Sequence, residues 1–313
     1  MSTPTRTVDL IGAPTDVGAA HRGASMGPEA MRVAGVAQNL EAVGLRVRDL
    51  GNLSGPPNPW EPPRSGYRHL PEVIAWNSAV HDAVHASLAE DHLPILLGGD
   101  HCLAIGSIGA VARHCRQQGR RLVVLWLDAH ADFNTLDTSP SGNLHGMPVA
   151  VLRGKGPAQL VGIGGRVPAL DAWAVRQLGI RSVDAREKEL VRDDGLSVYD
   201  MRRIDEHGMR EVVRRALSGL GEETHLHVSF DVDFLDPEIA PGVGTTVRGG
   251  PTYREAQLCM EMIADTALVG SLDVMELNPA CDVANRTAEV AVDLIGSLFG
   301  KSTLLRLPGT PAG

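Results

Sequence analysis

Aromatic residues are scarce in this 313-residue sequence, at only 4%. A core this poor in rings must rest on Val, Leu, Ile and Ala, and with 43% hydrophobic residues it can be sizeable without covalent staples. Cysteine is equally thin. Cys102, Cys115, Cys259 and Cys281 form no CxxC pair, so no disulfide framework is expected, and the pattern predicts reduced thiols in a cytoplasmic protein. No window reaches the roughly 18 apolar residues of a membrane helix, so no membrane partner is expected. The early apolar stretch Val8 to Ala13 is too short and too broken by Gly and Pro for a signal peptide. Basic blocks are missing too, and a net charge of −9 argues against nucleic acid as a partner.

What the chain does have is alternation. Apolar runs that read as strands ("TVDLIGAP", "PILLGG", "RLVVLWLD", "LVGIGG", "IRSV", "HLHVSFDVD", "VGSLDVME") are interleaved with helical periodicity. The helices are expected in "GPEAMRVAGVAQNLEAVG", "PEVIAWNSAVHDAVHASLAE", "AIGSIGAVARHC", "ALDAWAVRQLG", "GMREVVRRALSGL", "TYREAQLCMEMIADT" and "AEVAVDLIGSLFG". In the second of these, Val73, Trp76, Val80, Val84 and Leu88 recur at the three-to-four spacing of one helix face. Near-continuous apolar strands alternating with helices predict an α/β fold, a mostly parallel sheet covered on both faces in a three-layer α/β/α domain. No repeat or linker interrupts the pattern, so residues 1–313 are expected to form one domain. The Pro-rich segment 54–66 reads as a long surface loop, and residues 1–5 and about 306–313 as loose tails.

Four of the expected strands end in polar residues that strand packing does not ask for: His101 after "PILLGG", then Asp128, His130 and Asp132, then Asp231 and Asp233, and last Glu276. Ligands of open α/β sheets bind outside the carboxyl ends of the strands, so all seven can meet in one crevice. Residues two apart share a face of an extended chain, but a straight strand separates them by about 6–7 Å per step. The backbone must therefore curl just past Asp128 for the cluster to close. A single DxH or DxD at a strand end is usually a turn device. Several such groups at neighbouring strand ends point to metal. Five or six ligands exceed the needs of one ion but suit two ions about 3.5–4 Å apart. Carboxylates and imidazoles without thiolate favour Mn²⁺ over a structural Zn²⁺. Four aspartates, Glu276 and a bridging hydroxide outweigh two divalent ions, so the site should prefer a cationic substrate and hydrolyse it with acidified water.

Other polar residues are expected to be structural. His225 and His227 read as core histidines, His21 as part of a Gly-rich loop, and Cys102 and Cys281 as structural thiols. "GIGG" at 162–165 lacks the spacing of a dinucleotide loop.

The segments "GGDHCLAIGS", "DAHADFNTLDTSPSGNLHGMP", "SFDVDFLDPEIAPGVGTTVRGG" with "TYREA", and "DVMELNPACD" closely resemble the signatures of the arginase (ureohydrolase) family, most of all its bacterial members. The likeness runs from about residue 8 to 300. It implies the arginase/deacetylase-like fold and two Mn²⁺ per subunit. One ion would be held by residues matching His101, Asp128, Asp132 and Asp231, the other by Asp128, His130, Asp231 and Asp233, with Asp128 and Asp231 bridging. It implies conversion of L-arginine and water to L-ornithine and urea, a bridging hydroxide attacking the guanidinium carbon. Asp132 would pass the proton to the leaving amine, His145 would shuttle protons, Glu276 would hold the guanidinium, and Thr245 would stand beside that carboxylate.

For the amino-acid end, the resemblance implies that Asn134 and Ser141 read the α-carboxylate, with Asn143 acting through water, while Asp184 and Glu187 read the α-ammonium. The family pattern R-D-x-D-x-x-E is matched by "RSVDARE", with Ser182 in place of its first Asp. On spacing alone Asp184, Glu187, Ser141 and Asn143 would pass for solvated loop residues. The nearest alternative is an agmatinase or another guanidino-acid ureohydrolase. A non-catalytic metal-binding relative would show a broken ligand set, and a single-zinc deacetylase would not need paired DxHxD and DxD clusters. The family implies a homo-oligomer, trimer or hexamer, and with 13 residues after Gly300 no long C-terminal tail is expected to clasp a neighbour.

Overall fold

Eight strands form one sheet in a computed structural model that describes residues 6–304. They are β1 (Thr7–Gly12), β2 (Arg46–Asn52), β3 (Leu93–Leu97), β4 (Arg121–Leu127), β5 (Val175–Ile180), β6 (Ser197–Asp200), β7 (Thr224–Asp231) and β8 (Val269–Met275). Their order is β2-β1-β3-β8-β7-β4-β5-β6, and every pairing is parallel. The inner strands β3, β7 and β8 are buried along their whole length, so β3 reads as a continuous apolar run, whereas β7 and β8 also bury His225, His227, Ser229, Ser271 and Asp273.

Helices α1 (Gly27–Val33), α2 (Val36–Ala42), α3 (Leu70–Ala89), α4 (Ala104–Gln117), α5 (Pro148–Leu152) and α6 (Ala158–Val161) precede β5 in the chain. Helices α7 (Ala185–Asp194), α8 (Met201–His207), α9 (Met209–Ala216), α10 (Tyr253–Ala264) and α11 (Arg286–Leu298) follow. One face of the sheet carries a core built with Met31, Leu40, Ile204, Val212, Met260 and Leu294, from α1, α2 and α8 to α11. The other packs Val80, Ile108, Val151 and Leu160, from α3 to α6, with Val191 of α7 at its margin. This is the expected three-layer arrangement. Segment 54–66 is, as expected, free of helix and strand, and the tails expected at 1–5 and 306–313 lie outside the described residues.

Three local expectations need correction. "LVGIGG" is not a strand. It is the end of α6 and a turn, in which Gly164 packs on Gly109 of α4. "ALDAWAVRQLG" is not a helix, and "IRSV" is not the strand that follows it: the strand is Val175–Ile180 itself. Its polar residues find partners in the tertiary structure. Gln177 donates to the Ala131 carbonyl at 2.6 Å, and Arg176 to the Ala216 and Ser218 carbonyls. β2, β6, α5, α7 and α8 have no counterpart in the sequence pattern, since the two edge strands are only partly buried, α5 has five residues, and α7 and α8 are mostly polar.

His225 and His227 are core residues, as expected, with every ring nitrogen but one engaged in a buried chain. His227 Nε2 meets Asp273 Oδ2 at 3.0 Å and its Nδ1 meets Ser271 Oγ at 2.8 Å, while His225 Nε2 reaches the same hydroxyl at 2.9 Å. Ser107 of α4 donates to the other Asp273 oxygen, tying helix to sheet. His227→Leu would leave a fully buried carboxylate short of a partner and is expected to cost roughly 3 kcal/mol of stability. Denaturant unfolding measures this directly. A loss below about 1 kcal/mol would mean that the chain of hydrogen bonds does not hold Asp273. Cys102, Cys115 and Cys259 are buried and free, and burial pushes the Cys115 and Cys259 thiols up to about 12, as inert structural thiols require.

Candidate metal centre and active site

β3 and β4 follow one another in the chain but are separated in the sheet by β8 and β7. The carboxyl ends of these four strands border the switch point where open α/β sheets bind ligands. Past β3 the chain turns through Gly98 and Gly99. A Cβ on Gly99 would stand 1.6 Å from the Thr15 carbonyl oxygen, so only glycine fits this contact with the loop after β1. Asp100 secures the turn by accepting N–H groups of Gly18 (2.7 Å) and Cys102 (3.0 Å), and burial with Glu276 nearby raises it to about 6.

His101 then enters the crevice, held at its ring by two contacts and at its backbone by a third. Its Nε2 meets Ser229 Oγ at 3.0 Å, its plane stacks on Trp126 with centroids 4.1 Å apart, and its backbone N–H donates to Glu276 Oε1 at 2.8 Å. Nδ1 is left facing carboxylates: Asp231 Oδ2 at 2.9 Å, Asp128 Oδ2 at 3.2 Å and Asp132 Oδ2 at 3.4 Å. This is how a ligating imidazole is oriented, one nitrogen anchored and the other offered. On the far side of Asp128, His130 Nδ1 lies 3.5 Å from Asp128 Oδ1 and 3.0 Å from Asp233 Oδ2.

The expected curl is present. After β4 the chain leaves the extended conformation, and Asp132 has a φ of 49°, a left-handed value that costs a non-glycine residue energy and collects at functional sites. Glu276, at the end of β8, has a φ of 62° and its N–H donates to Gly99. Beneath the cluster Trp126 Nε1 donates to Asp128 Oδ2 at 2.8 Å, and the N–H groups of Ala129 and Asp233 donate to Asp233 Oδ1 and Asp231 Oδ1. Arg181 supports this floor by donating to the carbonyls of Gly179, Asp233, Phe234, Leu235 and Val247.

Two groups of ligand atoms result, His101 with Asp128 and Asp231, and Asp128 with His130 and Asp233, the atoms of each lying within 4.8 Å of one another. Asp128 belongs to both. Asp231 belongs to the first group only, its Oδ1 accepting the Asp233 N–H, and Asp132 adjoins that group through its 3.4 Å approach to His101. Burial and neighbouring carboxylates push Asp132 and Asp231 well above the usual carboxylate range. Burial would lower both imidazoles, yet the aspartates raise His130 strongly and His101 to about 9. Burial would raise Asp128, and the two histidines hold it low. Buried oxygen and nitrogen donors that draw in positive charge in this way fit a pair of divalent cations.

Above the cluster opens a cleft of about 250 Å³, whose lining residues are polar but for Pro140 and Gly146. Glu276 and His145 stand at its base: His145 Nδ1 meets Glu276 Oε1 at 3.0 Å. Burial works against both charges, but each side chain holds the other in its charged form. One stretch of wall carries Asn134, Ser139, Ser141 and Asn143, from the segment after β4, and another Ser182, Asp184 and Glu187, from the segment after β5.

The family is decided here. A family model described as the arginase family matches residues 6–300. The chain belongs to the arginase family. It is 48% identical to an arginase of Brucella melitensis over 95% of this chain and 97% of that one, and 43% identical to an arginase of Bacillus caldovelox over 96% and 100%. The crystal structure of arginase from Bacillus subtilis superposes with a TM-score of 0.88, at 40% identity, covering 96% of this chain and 100% of that one. The arginase resemblance and fold drawn from the sequence therefore hold, and the His/Asp cluster is positioned as a binuclear metal site.

Within this arginase-family fold every candidate metal, catalytic and substrate residue named from the sequence stands in or directly beneath the cleft. Three details differ from expectation. Thr245 lines the cleft with Glu276, but its hydroxyl donates to Asp233 Oδ2 at 3.0 Å. Glu187 is buried and accepts the N–H groups of Phe133 (2.8 Å) and Asp184 (3.0 Å), so it braces the metal loop as well as lining the wall. Asn134 donates to Asp184 Oδ2 at 3.0 Å, linking the two walls, and its Oδ1 is buried without a partner. Sequence reasoning missed Trp126 and Ser229, hidden within strands, and Ser182, which lines the cleft and pairs with His130 in a short parallel bridge.

Proposed function

We propose that this chain hydrolyses L-arginine to L-ornithine and urea at two Mn²⁺ ions held by His101, Asp128, His130, Asp132, Asp231 and Asp233. The observation that carries this reading is the pair of ligand groups sharing Asp128 at the foot of a cleft with both carboxylates and amide donors on its walls. The donor set, without thiolate, suits Mn²⁺. When bound, two such ions supply a water acidified towards neutral pH and a field for the developing charge.

The chain's own residues do the rest. Glu276 Oε1 is occupied by the His101 N–H and His145, which leaves Oε2 for the substrate guanidinium. Thr245, tied to Asp233, stands on the same floor. As a C–O bond forms at the guanidinium carbon, its bond to the side-chain nitrogen breaks, and Asp132 carries the proton to that leaving nitrogen. His145, half-buried at the cleft base, exchanges the proton with solvent. At the outer end Asn134, Ser141 and Asn143 read the α-carboxylate, and Asp184 and Glu187 the α-ammonium. A wall with polar groups meant for a carboxylate rejects a substrate lacking one, because those groups are left unpaired. We place the enzyme in the cytoplasm as a homo-oligomer, trimer or hexamer. Among the described residues no helix is long and apolar enough to cross a membrane.

Urea release from the Mn²⁺-loaded protein, with L-arginine and agmatine offered side by side and a chelated control, tests the reading. L-Arginine is expected to exceed agmatine in kcat/KM by ~10³-fold or more, with all activity lost on chelation. A preference for agmatine would overturn the assignment of the outer walls, and activity surviving chelation would overturn the metal centre.

A further inference from the structure

The wall that faces the substrate's carboxylate is held from outside by the Pro-rich segment 54–66 and the residues just after it. A Cβ on Gly142 would stand 2.3 Å from the Gly66 carbonyl oxygen, so the two loops touch backbone to backbone. Arg68 makes the junction. Its N–H donates to the Gly142 carbonyl at 2.9 Å, its Nη1 to the Glu61 carbonyl at 3.2 Å, and its Nε to Asn143 Oδ1 at 2.7 Å. The segment is anchored in turn by His69, buried, whose Nδ1 meets the Val17 carbonyl at 2.9 Å.

Two consequences follow from the Nε contact. A guanidinium only donates, so it fixes the Asn143 amide with its oxygen turned to Arg68 and leaves the NH₂ group as the free end. Asn143 lines the cleft, so the group left for a ligand there is a donor. Second, among the described residues no carboxylate is paired with Arg68. Its charge therefore stands, with no carboxylate paired to it, behind Asn143, in a stretch of the lining (Asn134, Ser139, Ser141 and Asn143) that carries no acidic residue, whereas Asp184 and Glu187 line another. A cleft built to take an amino acid needs this polarity, positive towards the carboxylate and negative towards the ammonium.

We propose that Arg68 is a positioning and specificity-determining residue, which orients the Asn143 amide and supplies the positive potential that selects substrates with an α-carboxylate. This rests on the reading above that Asn143 faces the carboxylate. Arg68 lies 75 residues away in the chain from the amide it sets.

Arg68→Ala and Arg68→Lys, both loaded with Mn²⁺, are compared with the parent protein in KM and kcat for L-arginine. Inhibition constants are measured for L-ornithine, which has the α-carboxylate, and for putrescine, which lacks it. Arg68→Ala is expected to raise KM for L-arginine and the inhibition constant of L-ornithine together by about tenfold. kcat should stay within about twofold and putrescine inhibition should be unchanged. Arg68→Lys, which keeps the charge but loses the planar donor, is expected to fall between. Equal weakening of ornithine and putrescine, or a fall in kcat without a rise in KM, would show a merely structural role and overturn the proposal, as would unchanged discrimination. If the parent protein itself does not distinguish ornithine from putrescine, the carboxylate-reading wall is misassigned, a failure separable from that of Arg68.

Discussion

Asp128→Ala is expected to lower urea production by ~10⁴-fold or more and to leave fewer than two ions per chain. Asp128 is the one residue common to both ligand groups, with Oδ2 3.2 Å from His101 Nδ1 and Oδ1 3.5 Å from His130 Nδ1. Every other ligand could be removed with one group still complete. Asp128 cannot. It also receives the Trp126 indole N–H and the backbone N–H of His130, so its truncation loosens the stacked ring that orients His101. Elemental analysis beside the urea assay separates the two losses. A variant that held two ions and kept more than about a tenth of the activity would show that Asp128 is not the shared ligand.

The second large effect is expected at Glu276. Glu276→Gln keeps an oxygen to accept the His101 N–H and nearly the same volume, but it removes the charge offered to a guanidinium in a buried place. Taking one partner from a buried, hydrogen-bonded charge pair costs about 4 kcal/mol, so kcat/KM for L-arginine is expected to fall roughly 10³-fold. Metal content should stay at two ions, in contrast to Asp128→Ala. Unchanged kcat/KM would mean that no guanidinium rests on the Glu276 charge, and loss of metal with the activity would mean that Glu276 serves the ions and not the substrate.

The buried strands were legible because β3 and, but for Arg121, β4 are apolar runs against which their polar ends stand out, while β7 alternates His225, His227 and Ser229 with Leu226, Val228 and Phe230. The spacing of Asp128, His130 and Asp132 also required a curl, and the left-handed Asp132 supplies it. Less legible were elements whose residues are satisfied at long range. Gln177 and Arg176 sit in a buried strand because carbonyls of Ala131, Ala216 and Ser218 receive them, and nothing in "VRQLGI" announces those partners. The same holds within the site. Ser229 and Trp126 look like strand residues until His101 is seen between them, and Arg68 has no local sign of its hold on Asn143. Chemistry-bearing residues at strand ends are readable from one stretch of sequence. Their supports, which come from other stretches, are not.

The place of β8 has a consequence for synthesis. Of the eight described strands, the last to emerge from the ribosome lies between β3 and β7, in the interior of the sheet. Until Val269–Met275 has been made, β3 and β7 each present a bare hydrogen-bonding edge, and His101 and Asp231, which flank the gap, have no fixed separation. A nascent chain can assemble β4, β5 and β7 as they appear, but it cannot join that half to β1–β3 through the sheet. Closure of the sheet and assembly of the metal centre thus become one late event, and a chain arrested before residue 269 exposes the sticky edges that chaperones recognise.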